Sequence, residues 1–112
     1  MFVKNSSFEW SALMDGVEMR PLSAGEKTNI CEFELKKGHS LPAHNHPYEQ
    51  TGTLLSGKLN FRIANKWHLA EPGDSWSIPE NVEHEVKVME DSHLIEVFSP
   101  VRPDYLPPNK KN

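Results

Sequence analysis

Cysteine is nearly absent: Cys31 is the one thiol in 112 residues, so no disulfide can form within the chain. A lone cysteine suits a reducing compartment, and its place in "TNICEFEL", between polar neighbours, reads as core packing rather than reactivity. Long hydrophobic runs are also missing. No stretch approaches the roughly 18 apolar residues of a membrane helix, and the opening "MFVKNSSFEW" lacks the apolar core of an export signal. The expected location is the cytoplasm, with no membrane partner. There is no basic excess either: 12 Lys and Arg stand against 16 Asp and Glu, a net charge of −4. With scattered cations and a pI near 5.8, the chain offers no stripe for a phosphate backbone, and nucleic acid is excluded as a partner. After Thr28 the helical period is missing as well.

What is present is turn chemistry. Nine prolines and six glycines punctuate short apolar or alternating runs about every ten residues, which predicts an all-β antiparallel sandwich or barrel in a single domain. In "NICEFELK", Cys31, Phe33 and Leu35 alternate with Ile30, Glu32, Glu34 and Lys36, as on a half-buried strand. Ser56-Gly57, between "TGTLL" and "KLNFRI", predicts a hairpin turn; Asn65-Lys66, "EPGD" and "PEN" predict further reversals. "HEVKVM" and "HLIEVF" read as two strands separated by "EDS". Residues 28–99 thus form the barrel core. Residues 1–27 are an arm or edge strands, beginning with either a helical turn or an extended segment, because Gly16 and Pro21 disfavour a long helix. Residues 100–112 are a Pro-rich tail expected to lie over the surface.

The chemistry-bearing stretch is "LPAHNHPYEQTGTLLSG". On a strand, His44 and His46 point the same way and can chelate one ion; Gln50 offers an amide oxygen four residues later. His84 follows the reversal in "GDSWSIPENVEH", so sheet closure can bring a third imidazole to the pair. His39, His68 and His93, beside turns or charges, are expected at the surface.

These segments resemble the cupin superfamily. Its first signature, G-x5-H-x-H-x3-E-x6-G, is matched by Gly38, His44, His46, Gln50 and Gly57, with Gln in place of Glu. Its second, G-x5-P-x-G-x2-H-x3-N, is matched by Gly73, Pro79 and His84, with Asn81 and Val88 departing from the pattern. The resemblance implies a cupin-type double-stranded β-helix, a jelly-roll barrel, with one divalent transition ion (nickel, iron, manganese or zinc) on His44, His46, Gln50 and His84. The motif spacing favours Gln50 over Glu49 as the inward residue. A neutral Gln leaves the ion its full charge, which favours Lewis-acid over redox work.

"PAHNHPYEQTGTLLSGKLNF", "GDSWSIPENVEHEV" and "EVFSPVRPDYL" further resemble small cupins of the pectin-degradation type, which ketonise unsaturated monouronates. That resemblance implies a catalytic acid-base at Glu96, where the family carries Asp, with Phe98 and Arg102 binding an anionic sugar. Alternation alone leaves two options open, Glu96 and Phe98 inward or Ile95 and Val97 inward. A metal-dependent dioxygenase on the same barrel and a non-catalytic sugar- or metal-binding cupin are the alternatives. The family habit and the apolar Phe2, Val3, Phe8 and Trp10 point to a homodimer.

Overall fold

Two long antiparallel strands, β5 (Glu49–Ile63) and β8 (His84–Ser99), pair with each other over nearly their whole length. The computed structural model describes residues 2–108; Met1 and the end of the expected tail, residues 109–112, lie outside the described residues. Each long strand belongs to both sheets of the barrel. The first half of β5 pairs with β7 (Ser75–Ile78) and its second half with β6 (Lys66–Ala70). Likewise β8 begins beside β4 (Ser40–His44) and ends beside β3 (Asn29–Leu35). Beyond β3 come β2 (Val17–Ala24) and β1 (Ser11–Met14), joined by a turn at Asp15-Gly16. The result is the two-layered all-β barrel expected from the turn spacing, and the N-terminal region is a strand hairpin rather than a helical turn.

The crossing between layers corrects two readings. Ser56-Gly57 is not a hairpin: β5 runs through it, with its register against β8 slipping repeatedly from Leu54 to Leu59. "EDS" likewise lies inside β8 and separates no strands. A glycine at positive φ serves a bulge as readily as a hairpin, and here Gly57 (φ 97°) lets the ribbon bend. A Cβ at Gly57 would stand 2.3 Å from the Asp91 carbonyl oxygen, so the two chains approach too closely for any side chain. Ser92 pins the bend from the other strand, its Oγ accepting the Lys58 N–H at 3.1 Å and donating to the Glu90 carbonyl at 2.7 Å. The turn near Asn65 falls one residue early, at Ala64-Asn65, because Lys66 already pairs with Ile63.

Inward-facing residues fill the barrel from both layers, among them Cys31, Phe33, Leu54, Leu59, Ile78 and Phe98. Each such large side chain contributes roughly 1.5–3 kcal/mol on burial. Cys31 is fully buried, and burial first, then the nearby Glu96 charge, pushes its thiol up to about 12, consistent with an inert packing role. On the outer face, Glu32 is held by Arg20 and His93, and the Arg20 guanidinium lies 5.1 Å over the Trp10 ring, folding the arm back onto β2. His68 is exposed as expected, while His39 and His93 are half-buried. No helix among the described residues is long and apolar enough to cross a membrane.

Candidate metal centre and adjoining cavity

His44 closes β4, His46 lies in the loop that follows, and His84 opens β8 directly opposite His44. Their candidate ligand nitrogens all lie within 4.8 Å of one another, with ring centroids 4.2 Å apart for His44 and His84. Each imidazole is oriented by a backbone carbonyl two residues away. Nδ1 of His44 is 2.7 Å from the Pro42 oxygen, that of His84 is 2.9 Å from Val82, and that of His46 is 3.2 Å from Tyr48. These contacts put the proton on Nδ1 and leave Nε2 as a lone pair, the arrangement in which metal-binding histidines are held.

Two observations test whether the residues fit an ion. His84 Nε2 is buried without any hydrogen-bond partner among the described residues. His46 Nε2 lies 2.9 Å from Gln50 Oε1, and since His46 Nδ1 also faces an oxygen, either neutral tautomer leaves two acceptors pointed at each other. Burial first, then the Arg102 charge, disfavours the protonated form of His46 and holds it below the usual histidine value. Burial pushes His84 down to about 4, reinforced by the neighbouring His44, His46 and Arg102 charges. Three imidazoles whose ligand nitrogens cluster together, with an amide oxygen facing one of them, fit a divalent cation. Gln50 is buried and inward while Glu49 is exposed, as the spacing favours.

Beyond the histidines, a cavity of about 40 Å³ is lined by His44, Gln50, His84, Glu96, Phe98, Arg102 and Tyr105, among others. Glu96 and Phe98 take the inward face of β8, with Glu96 only 7% exposed, and Ile95 and Val97 look outward. This resolves the ambiguity that alternation leaves. Burial pushes the Glu96 carboxyl up, opposed by hydrogen bonds from Trp76 and Gln50 and by the Arg102 charge. The Trp76 indole N–H donates to Glu96 Oε2 at 2.9 Å, and the Gln50 amide N–H donates to the same oxygen.

Arg102 lies past the end of β8, its guanidinium 3.9 Å over the Tyr105 ring and 5.1 Å over Phe98. Among the described residues its one carboxylate contact is Asp104, 3.3 Å from Nε. The tail does more than lie over the surface. A 3₁₀ turn at Pro103–Tyr105 sets Tyr105 edge-on against Phe33 and Phe98 at the barrel mouth, and Asn29 Oδ1 accepts the Arg102 backbone N–H at 2.8 Å. Sequence reasoning missed Tyr48, Trp76 and Tyr105. An interior strand glycine, Gly52, was the one available hint of a close approach by Trp76.

The barrel and its histidine-lined interior define a cupin, and the chain belongs to the cupin-domain family, whose profile matches residues 31–98. Within it, the chain is similar to the KdgF type. It is 26% identical, over 99 residues, to the pectin degradation protein KdgF of Dickeya dadantii (strain 3937), covering 87% of this chain and 90% of that one. The solved structure of KdgF from Halomonas sp. superposes with a TM-score of 0.88 at 23% identity, covering 95% of this chain and 98% of that one. An RmlC-like cupin from Shewanella frigidimarina NCIMB 400 matches with the same TM-score at 22% identity, covering 94% and 95%.

Proposed function

We propose that the protein is a metal-dependent isomerase that opens unsaturated monouronates, released in pectin or alginate breakdown, into open-chain keto forms. The observation that carries this reading is Glu96, a carboxyl group buried in a cavity that two of the clustered imidazoles and a cation, Arg102, also line. The sequence likeness to the pectin degradation protein of D. dadantii supports the substrate class.

His44, His46, His84 and Gln50 would hold one divalent ion, and three imidazoles with an amide do not select among nickel, iron, manganese and zinc. When bound, the ion supplies Lewis-acid stabilisation for substrate oxygens. The remaining chemistry is proton movement. A 4,5-unsaturated uronate is a cyclic hemiacetal whose ring oxygen also belongs to an enol ether. Opening it takes the proton from the C1 hydroxyl and breaks the bond between C1 and the ring oxygen, whose electron pair stays on that oxygen. The C5 enol so formed takes a proton at C4, leaving an aldehyde at C1 and a ketone at C5. No oxidant or reductant is consumed.

Glu96 exchanges the proton. Both of its donors converge on Oε2, which leaves Oε1 as the exchanging atom. Arg102 grips the substrate carboxylate, its guanidinium plane fixed by Tyr105 and Phe98.

The test is to incubate metal-loaded protein with an unsaturated monouronate and follow loss of the conjugated absorbance. The expected result is acceleration over buffer at the same rate with and without oxygen. No acceleration, with the ion confirmed present, rejects this reading, and an oxygen requirement replaces it with the dioxygenase.

A further inference from the structure

Trp76, Gly52 and Glu96 occupy one row across three neighbouring strands: Gly52 of β5 pairs with Trp76 of β7 on one side and with Glu96 of β8 on the other. All three positions face the barrel interior. The indole reaches Glu96 by passing over the middle strand, which is possible only because position 52 lacks a side chain. A Cβ there would stand 2.6 Å from the indole nitrogen and 2.8 Å from the adjoining ring carbon. Gly52 lies within β5, where an interior glycine weakens a strand unless another group needs its space.

The hydrogen bond this permits does not end at Glu96. Oε2, fixed by the Trp76 N–H, is also the acceptor for the Gln50 amide N–H. It accepts both bonds whether or not Glu96 carries a proton, since that proton would sit on Oε1. With its NH2 group turned to Glu96, Gln50 has one orientation left for its carbonyl, and Oε1 faces His46 Nε2 at 2.9 Å. An amide free to rotate by a half turn would instead present N–H donors to the histidines, and an N–H cannot ligate a cation.

We infer that Trp76, acting across Gly52 through Glu96, is a positioning residue that holds the Gln50 amide oxygen toward the histidine cluster and so completes the donor set for the ion. The inference rests on the metal reading given above, and not on the uronate substrate. It gives Glu96 two tasks on different oxygens: Oε2 orients a ligand, and Oε1 remains open to the cavity. It also gives Gly52 a reason that no turn or positive φ supplies.

The test is a calorimetric titration of the metal-free protein with Zn²⁺, and in parallel with Ni²⁺ and Mn²⁺, for wild type, W76F, G52A, E96A and the double variants W76F/E96A and G52A/E96A. Alanine is used at position 96 because a Gln there would keep an oxygen able to accept both hydrogen bonds. Removing the partner that orients a metal ligand typically weakens binding about 10- to 100-fold, the loss expected for E96A. W76F and G52A should each lose about threefold to tenfold, G52A doing so with its indole intact. Both losses should vanish in the E96A background, because Trp76 acts only through Glu96. A role confined to packing would lower the melting temperature of W76F yet leave its ion affinity unchanged, or would weaken binding by the same factor with and without Glu96. Either of those results overturns the inference while leaving the metal reading intact. Failure of the wild type to bind any of the three ions overturns both.

Discussion

His46 Nε2 and Gln50 Oε1 face each other at 2.9 Å with no proton that both can share once Nδ1 has donated to the Tyr48 carbonyl. Two lone pairs at that separation repel, and a cation held by both residues would relieve that repulsion. Binding energy that exists only in the folded chain becomes stability. With free ion at about 100 times its dissociation constant the gain is about 2.7 kcal/mol, or about 10 °C in melting temperature for a domain of this size. Scanning calorimetry with added ion and with chelator should show that rise and its reversal. His84→Ala should sharply reduce it at the same ion concentration.

The same burial that readies the imidazoles makes the metal-free protein sensitive to acid. His84 is held down to about 4 by burial and then by its charged neighbours, and His46 is shifted the same way. Below pH 6.5 the unfolded chain takes up protons that the folded one refuses, so this stability is complete above pH 6.5 and drains away as pH falls toward 4. His84 alone accounts for on the order of 2 kcal/mol between pH 7 and pH 5. Urea titrations of the chelated protein at these two values should show a lower midpoint at pH 5. Saturating metal should flatten the difference across the upper part of the range.

The catalytic roles separate kinetically. At saturating metal, Glu96→Gln should keep the fold and lose turnover by roughly 10²- to 10⁴-fold, the usual contribution of a positioned acid-base. Arg102→Ala should act mainly on KM. Losing one charge-assisted contact of about 1.5–3 kcal/mol predicts a roughly 10- to 150-fold fall in kcat/KM. Steady-state kinetics with the monouronate measures both, and a sensor would instead show no turnover to lose.

Two glycines offer a contrast in stability. Gly38 (φ 87°) has nothing within 4 Å of where a Cβ would stand, so Gly38→Ala should cost only the left-handed backbone penalty of about 1–2 kcal/mol. Gly57 combines the same conformation with a Cβ clash against Asp91 and Ser92. Gly57→Ala should cost more than about 3 kcal/mol and disturb the bend through which β5 joins both layers. Chemical denaturation of the two variants side by side reads the difference.

Much of this was legible before any coordinates. The three histidines and Gln50 carry a spacing that strand geometry can interpret, and the turn residues divide the chain into barrel strands. The bend in the long ribbon was not legible. Ser56-Gly57 and "EDS" are equally good signals for hairpins and for bulges, and only the pairing of β5 with β8 along both halves decides between them. The inward face of β8 could not be read either, because Ile95 and Val97 are as apolar as a core requires. Glu96 shares the inward face with Leu94 and Phe98, and its carboxyl is satisfied there by Trp76, a partner two strands away that no local pattern connects to it. Tyr105 escaped notice for a similar reason. A proline-rich tail reads as surface chain, and its aromatic anchor appears only when Phe33 and Phe98 are brought beneath it.

The account stands most directly on the donor set, and X-ray absorption at the edge of the loaded ion examines that set without any substrate. The expected spectrum for zinc shows a first shell near 2.0–2.2 Å with the multiple-scattering pattern of three imidazoles plus one oxygen from Gln50, reduced to two imidazoles in His84→Ala. A shell with one imidazole or none, or one that His84→Ala leaves unchanged, would contradict it.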